Sequence, residues 1–181
     1  MLDWKIDSTW TLFLDRDGVI NERKMGGYIE NTDELTLLQG VPEAIADFTS
    51  LFSNIFVVTN QQGISKNIMT TCNLIEIHSY IDVILEKSGG KITKYYFAPE
   101  LKSDPDSTRK PLPFMGLKAK EEFPEVNFEK SIMIGDTDSD ILFGKNLGMK
   151  TVRIKTIEPI KIEADYTCLS LMEFSKQIAH L

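Results

Sequence analysis

Asp15 and Asp17 flank Arg16 in the run Phe13-Leu14-Asp15-Arg16-Asp17-Gly18-Val19-Ile20-Asn21, and Asp136 follows Gly135 far along the chain. If folding brings the three together, one small site holds about three negative charges, which cannot all ionise without a cation. A hard divalent ion with oxygen ligands, Mg²⁺ for preference, removes the conflict. One carboxylate can then attack phosphorus while a second handles the proton. The Thr59 hydroxyl and the Lys110 ammonium suit the oxygens of a transferring phosphoryl group. Gly18 lets backbone approach a phosphate closely.

Each piece also has a plain reading. An Asp-x-Asp-Gly after a strand is more often an ordinary turn. Thr59-Asn60 is a common loop start, and Arg109-Lys110-Pro111 by itself is a solvated basic turn. Gly135-Asp136-Thr137-Asp138-Ser139-Asp140 could be a helix N-cap with acidic side chains in the first turn. What lifts these pieces above coincidence is where the surrounding elements put them.

Short apolar runs predict strands at 10–14, 55–58, 92–97, 131–134 and 149–154. Helical spacing predicts helices at 42–52, 70–87, 114–123, 138–147 and 171–179, with Pro42 in a first turn and Gly148 closing the fourth. Residues 21–32 read as a long loop, and 99–113 as the least regular stretch. Strand and helix alternate throughout, so the expected α/β architecture is a central parallel sheet covered on both faces. Ligands in such sheets sit beyond the carboxyl ends of the strands. Asp15, Asp17, Thr59, Asn60, the loop to Lys110 and Asp136 all fall there.

The chain has 181 residues, which fits one domain over residues 1–181. With 42% hydrophobic and 26% charged residues it has an ordinary globular composition. Its net charge of −7 makes it a poor non-specific binder of nucleic acid or anionic lipid. Two cysteines and two histidines cannot build a disulfide framework or a Cys-rich zinc site. No signal pattern opens the chain, and no apolar run approaches the roughly 18–20 residues of a membrane span. A reduced, soluble, cytoplasmic protein is expected.

Taken in order, Asp15-x-Asp17-Gly18, Thr59, Lys110 and Gly135-Asp136-x-x-x-Asp140 resemble the four motifs of the haloacid dehalogenase superfamily of phosphotransferases. The resemblance covers residues 10–155. It implies a Rossmann-like three-layer αβα fold, Mg²⁺ and an aspartyl-phosphate intermediate. It implies that Asp15 is the nucleophile and Asp17 the general acid and base. Asp15, the Asp17 carbonyl and Asp136 would hold the metal, with Asp140 in support. Thr59, Asn60 and Lys110 would hold the phosphoryl group.

The wording of the motifs is similar to one branch, the heptose bisphosphate and histidinol-phosphate phosphatases. Asp15 to Asn21, Gly27-Tyr28, Val57 to Ile64 and Arg109-Lys110-Pro111 carry that likeness. Many members of the branch have a zinc-binding Cys/His loop before the Arg-Lys-Pro segment. Here residues 95–109 contain neither residue, so no structural zinc is expected and something else must hold the loop. The intervals from Asp15 to Thr59 and from Thr59 to Lys110 leave no room for a large cap domain. An open site follows, with specificity left to loops 22–32 and 99–109. Arg109 is a candidate for a second anionic group of the substrate. The expected partner is a small phosphorylated metabolite, without nucleic acid or membrane, and the expected state a monomer.

Two rivals share parts of this pattern. A phosphoacceptor receiver domain uses the same residue types, but it places the acidic pair and the phosphorylated Asp on different strands and is shorter. A polynucleotide 3′-phosphatase can share the motifs, but no basic stripe with interleaved aromatics is visible.

Overall fold

The computed structural model describes residues 2–179. Six parallel strands form one sheet in the order β3-β2-β1-β4-β5-β6. They are β1 Thr11–Leu14, β2 Asn54–Asn60, β3 Lys94–Ala98, β4 Ser131–Gly135, β5 Lys150–Ile154 and β6 Tyr166–Cys168. The helices are α1 Val41–Leu51, α2 Thr71–Glu86, α3 Phe114–Glu122, α4 Asp138–Asn146 and α5 Leu171–Ile178.

Strand side chains alternate between faces, and the core divides accordingly. Leu12, Leu14, Ile55, Val57, Ile132 and Ile134 pack with buried residues of α1, α2 and α5, among them Phe48, Ile77 and Phe174. Phe13, Phe56, Val58 and Met133 pack on the other face with Met115 and Ala119 of α3 and Phe143 of α4. Both faces are covered, so the central strands are apolar throughout rather than alternating. This is the three-layer arrangement expected. Among the described residues the β1–β2 and β2–β3 connections hold only loops, α1 and α2, with no large cap. No helix among them is long and apolar enough to cross a membrane.

The helix starts are chemically marked. Thr70 and Asn73 form a reciprocal capping box on α2, and the Ser170 hydroxyl accepts from the Glu173 N–H at the start of α5. α1 follows Gly40 in the left-handed region at φ 77°, with Pro42 in its first turn.

Three features depart from the expectation of five strands, the third of them over 92–97, and a long loop at 21–32. The sixth strand, β6, is three residues long and pairs with β5 through Val152–Tyr166, Arg153–Thr167 and Ile154–Cys168. Its order comes from that neighbour rather than from its own short pattern. The loop after β1 ends in a 3₁₀ turn, Thr32–Glu34, capped by the Asn31 side chain. The third strand begins at Lys94 rather than residue 92, although the Thr93 N–H already bonds the Ile55 carbonyl at 2.7 Å.

Candidate active site

At the end of β1, Leu14 pairs with Ile134 of β4 and Val57 of β2, β2 runs on to Asn60, and the carboxyl ends of the three strands carry the site. The Asp15 N–H bonds the Ile134 carbonyl at 2.9 Å, which locks the residue after β1 against β4. Its carboxylate is 6% exposed and accepts from Lys110 Nζ at 2.7 Å. That ammonium, itself buried, also meets Asp140 Oδ1 at 2.6 Å and the Val58 carbonyl at 2.6 Å. Three oxygens thus take its three protons. Lys110 is placed by Asn60, whose Oδ1 accepts from the Lys110 N–H at 3.0 Å and whose Nδ2 donates to the Lys110 carbonyl at 3.2 Å. The ends of β2 and the 99–110 loop are tied together in this way.

Asp140 has two jobs here. Its Oδ2 accepts from the Thr137 N–H at 3.0 Å and hydroxyl at 2.6 Å, capping α4, while Oδ1 holds Lys110. A Cβ at Gly135 would run into this side chain, so glycine is required for α4 to start so close to β4.

Asp17 is clamped by three donors. Arg16 Nη2 reaches both its oxygens at 2.9 and 3.0 Å, Asn21 Nδ2 bonds Oδ1 at 3.0 Å, and Gln61 Nε2 bonds Oδ2 at 2.9 Å. Gln61 Nε2 also donates to the Thr59 hydroxyl at 2.9 Å, which links the buried Thr59 to the same network. Burial works to raise the Asp17 pKa, but the Arg16 charge and the hydrogen bonds outweigh it and hold the carboxyl below its usual range.

The other acids behave differently. Burial pushes Asp15 up to about 6 against the pull of Lys110, with Asp140 and Asp17 adding repulsion. Burial and the charge of Asp15 push Asp136 up to about 7, although Arg23 opposes the shift. Carboxylate oxygens of Asp15, Asp136 and Asp140 lie within 4.8 Å of one another. This is an oxygen-only donor set whose charges raise one another's pKa, the kind of site a hard divalent cation relieves. Both Asp140 oxygens are engaged, by Lys110 and by Thr137, whereas Asp15 and Asp136 each keep one oxygen clear of a charged partner. Gly18, at φ 92°, keeps this space open, since a Cβ there would collide with the Asp136 carboxylate.

The site opens on a cleft of about 490 Å³ lined by Asp15, Asp17, Thr59, Asn60, Arg109, Lys110 and Asp140. Asp136 lines an adjoining cavity of about 400 Å³, and Arg23 and Glu158 line both. Every residue singled out from the sequence therefore reaches one end of the sheet, and Arg109 stands on the wall with Lys24, Tyr28 and Lys66.

The loop before Lys110 has its own fastening. The Thr108 hydroxyl donates to Glu100 at 3.0 and 3.1 Å, the Thr108 N–H approaches the same carboxylate at 3.4 Å, and Arg109 Nη1 bonds the Glu100 carbonyl at 3.3 Å.

Sequence reasoning did not single out Arg16, Asn21, Gln61 or Arg23. Arg23 Nη2 bonds Asp136 Oδ1 at 2.7 Å and the Asp17 carbonyl at 3.0 Å, and its Nη1 pairs with Glu158 at 3.3 Å. An isolated arginine in a loop carries no periodic signal. The positions of Asn21 and Gln61, each two or four residues from a carboxylate or hydroxyl of the site, were the available hints.

A family model for HAD-hydrolase-like proteins matches residues 107–157. D-glycero-alpha-D-manno-heptose-1,7-bisphosphate 7-phosphatase of Mycobacterium bovis is 30% identical over 94% of this chain and 92% of that protein. D-glycero-beta-D-manno-heptose-1,7-bisphosphate 7-phosphatase of Pasteurella multocida is 31% identical over 94% of this chain and 97% of its own length. The crystal structure of the D,D-heptose 1,7-bisphosphate phosphatase of B. bronchiseptica, complexed with magnesium and phosphate, superimposes with a TM-score of 0.85. It is 24% identical and covers 94% of this chain and 98% of that one.

Proposed function

Since this chain belongs to the HAD-like phosphatases, in the family of the heptose-1,7-bisphosphate 7-phosphatases, we propose that it hydrolyses one phosphate of a heptose bisphosphate with Mg²⁺ as cofactor. The observation that carries the substrate class is that one cleft is lined by both buried and more exposed cationic groups. Asp15 and Lys110 are its buried lining residues, and Arg109, Lys24 and Lys66 its more exposed ones. A substrate with an anion at each end is complementary to such a cleft.

In this reading Asp15 Oδ attacks the phosphorus and the bond from phosphorus to the sugar oxygen breaks. Asp17, once it has taken up a proton against the hold of Arg16, Asn21 and Gln61 that keeps it ionised before substrate binds, gives that oxygen its proton, and the phosphoryl group stays on Asp15 as an acyl phosphate. Asp17, now a carboxylate, takes a proton from water, which attacks the same phosphorus and releases inorganic phosphate and free Asp15. Lys110 offsets the charge shared by nucleophile and phosphoryl oxygens, and Thr59 and Asn60 position those oxygens. Asp15, the Asp17 carbonyl and Asp136 would hold Mg²⁺, which supplies positive charge for the phosphoryl oxygens. Asp140 keeps Lys110 in place. Arg109 receives the distal anion. The proposal extends to a single-domain monomer of the cytoplasm with no nucleic-acid or membrane partner, which the net charge of −7 favours.

Phosphate release from a panel tests it: heptose 1,7-bisphosphate, histidinol phosphate, a 3′-phosphorylated oligonucleotide and p-nitrophenyl phosphate, each with Mg²⁺ and with excess EDTA. The heptose bisphosphate is expected to have the highest kcat/KM, and EDTA to remove turnover of every substrate. A higher kcat/KM for histidinol phosphate or the oligonucleotide would move the substrate class, and full activity in EDTA would remove the cation.

A further inference from the structure

We propose that the Arg23 guanidinium is the internal counter-ion of the cation site, seated where a divalent ion would bind, so that Arg23 and the ion exclude one another. The inference rests on the cation assignment above. Arg23 Nη2 touches the Asp136 carboxylate at 2.7 Å and the Asp17 carbonyl at 3.0 Å. These are two of the three oxygen groups assigned to Mg²⁺. Arginine stays protonated at any ordinary pH, so the two positive charges would compete for the same pair of oxygens.

Three further observations favour this role over a purely structural ion pair. Asp136 is 2% exposed, so its carboxylate has almost no water and depends on a protein cation for its charge. The Arg23 Nε is buried without a partner, so its seat satisfies the charge of Asp136 more fully than the guanidinium's own hydrogen bonds. Arg23 and its second anchor, Glu158, line both adjoining cavities. The side chain can therefore leave Asp136 for open space while keeping Glu158. Displacing it lowers the apparent affinity for the ion by the fraction of molecules in which the seat is free.

Titration calorimetry of Mg²⁺ into the chelator-treated protein, at fixed ionic strength, tests this. Arg23→Gln is expected to bind Mg²⁺ about tenfold more tightly or better. Glu158→Gln removes an anchor that Arg23 keeps whether or not it holds Asp136, and should stay within about threefold of the parent. Lys66→Gln removes a cation that lines the same cleft but hydrogen-bonds Tyr28 instead, and should stay within about threefold of the parent, the size of a screened through-space effect. Thermal unfolding gives a second readout. In EDTA Arg23→Gln should melt below the parent, and saturating Mg²⁺ should close the gap. An equal gain from Lys66→Gln, an unchanged affinity for Arg23→Gln, or a melting gap indifferent to Mg²⁺ would overturn the proposal. Asp136→Asn separates the two levels. If it binds Mg²⁺ like the parent, the cation assignment itself fails. If it loses binding while Arg23→Gln gains nothing, only the competition fails.

Discussion

The Lys110 ammonium lies 2.7 Å from the Asp15 carboxylate, and both are buried at the end of the sheet. Burial lowers the lysine pKa, but Asp140 and Asp15 more than compensate, so the ammonium stays charged. Its remaining contacts, Asp140 and the Val58 carbonyl, fix it from behind. The charge is in position before any substrate arrives, which is the condition for electrostatic catalysis without reorganisation.

Lys110→Ala is expected to lower kcat and kcat/KM together for every ester, by about 10²–10³-fold, as for loss of one preorganised donor to the reacting oxygens. Steady-state kinetics on a sugar phosphate and on p-nitrophenyl phosphate check this. A change confined to KM would show that Lys110 only binds substrate.

Asp15→Asn should abolish turnover and leave the circular dichroism spectrum unchanged, because an amide is a far poorer nucleophile. Asp17→Asn should retain activity that depends on the leaving group. General acid–base catalysis contributes about 10²–10⁴-fold, and the loss should be smallest for p-nitrophenyl phosphate, whose leaving oxygen needs no proton. Near-normal rates in a folded Asp15→Asn protein would rule out the covalent route.

Arg109→Ala should raise KM for a bisphosphate by about tenfold or more, the scale of a charge-assisted bidentate contact, and scarcely alter p-nitrophenyl phosphate hydrolysis. The comparison of two substrates cancels general damage to the loop. Equal losses on both would assign Arg109 to the loop's structure through its bond to the Glu100 carbonyl.

His78 should make the protein sensitive to acid. It is buried on α2, its ring stacks on Tyr95 at 4.2 Å, and its Nε2 has no partner. Burial, with the nearby Arg16 charge, pushes its pKa down to about 3. An unfolded histidine takes a proton near pH 6.5. Between these values the unfolded chain binds a proton that the folded chain refuses, so stability falls as pH falls, by up to about 1.4 kcal/mol per pH unit. Urea unfolding of His78→Phe should lose that slope between pH 6.5 and 4. An unchanged slope would place the acid sensitivity elsewhere.

Asp15, Thr59 and Asp136 were legible because each interrupts or follows an apolar run, whereas Arg109 and Lys110, in the irregular 99–113 stretch, were legible only through the resemblance of Arg109-Lys110-Pro111 to a family motif. Leu12-Phe13-Leu14 is a strand on sight, and Asp15 after it can only sit at the sheet's edge. The same logic found Thr59, Asp136 and the capping position of Asp140. The clamp on Asp17 was not legible, since Gln61 reaches it from the end of another strand. Nor was Arg23, whose meaning depends on an aspartate 113 positions away. β6 was missed for a related reason. Three residues carry no periodicity, and the pairing that orders them belongs to β5.

The fastening between Glu100 and Thr108 bears on how the protein meets oxidants. A loop knotted by metal and thiolates loosens when peroxide reaches the sulfur. Residues 99–109 contain no sulfur at all, and a carboxylate bonded to a hydroxyl and an amide offers peroxide nothing to attack. Peroxide therefore meets no thiolate in residues 99–109, and the one sulfur among the side chains lining the main cleft is that of Met25, which is 65% exposed.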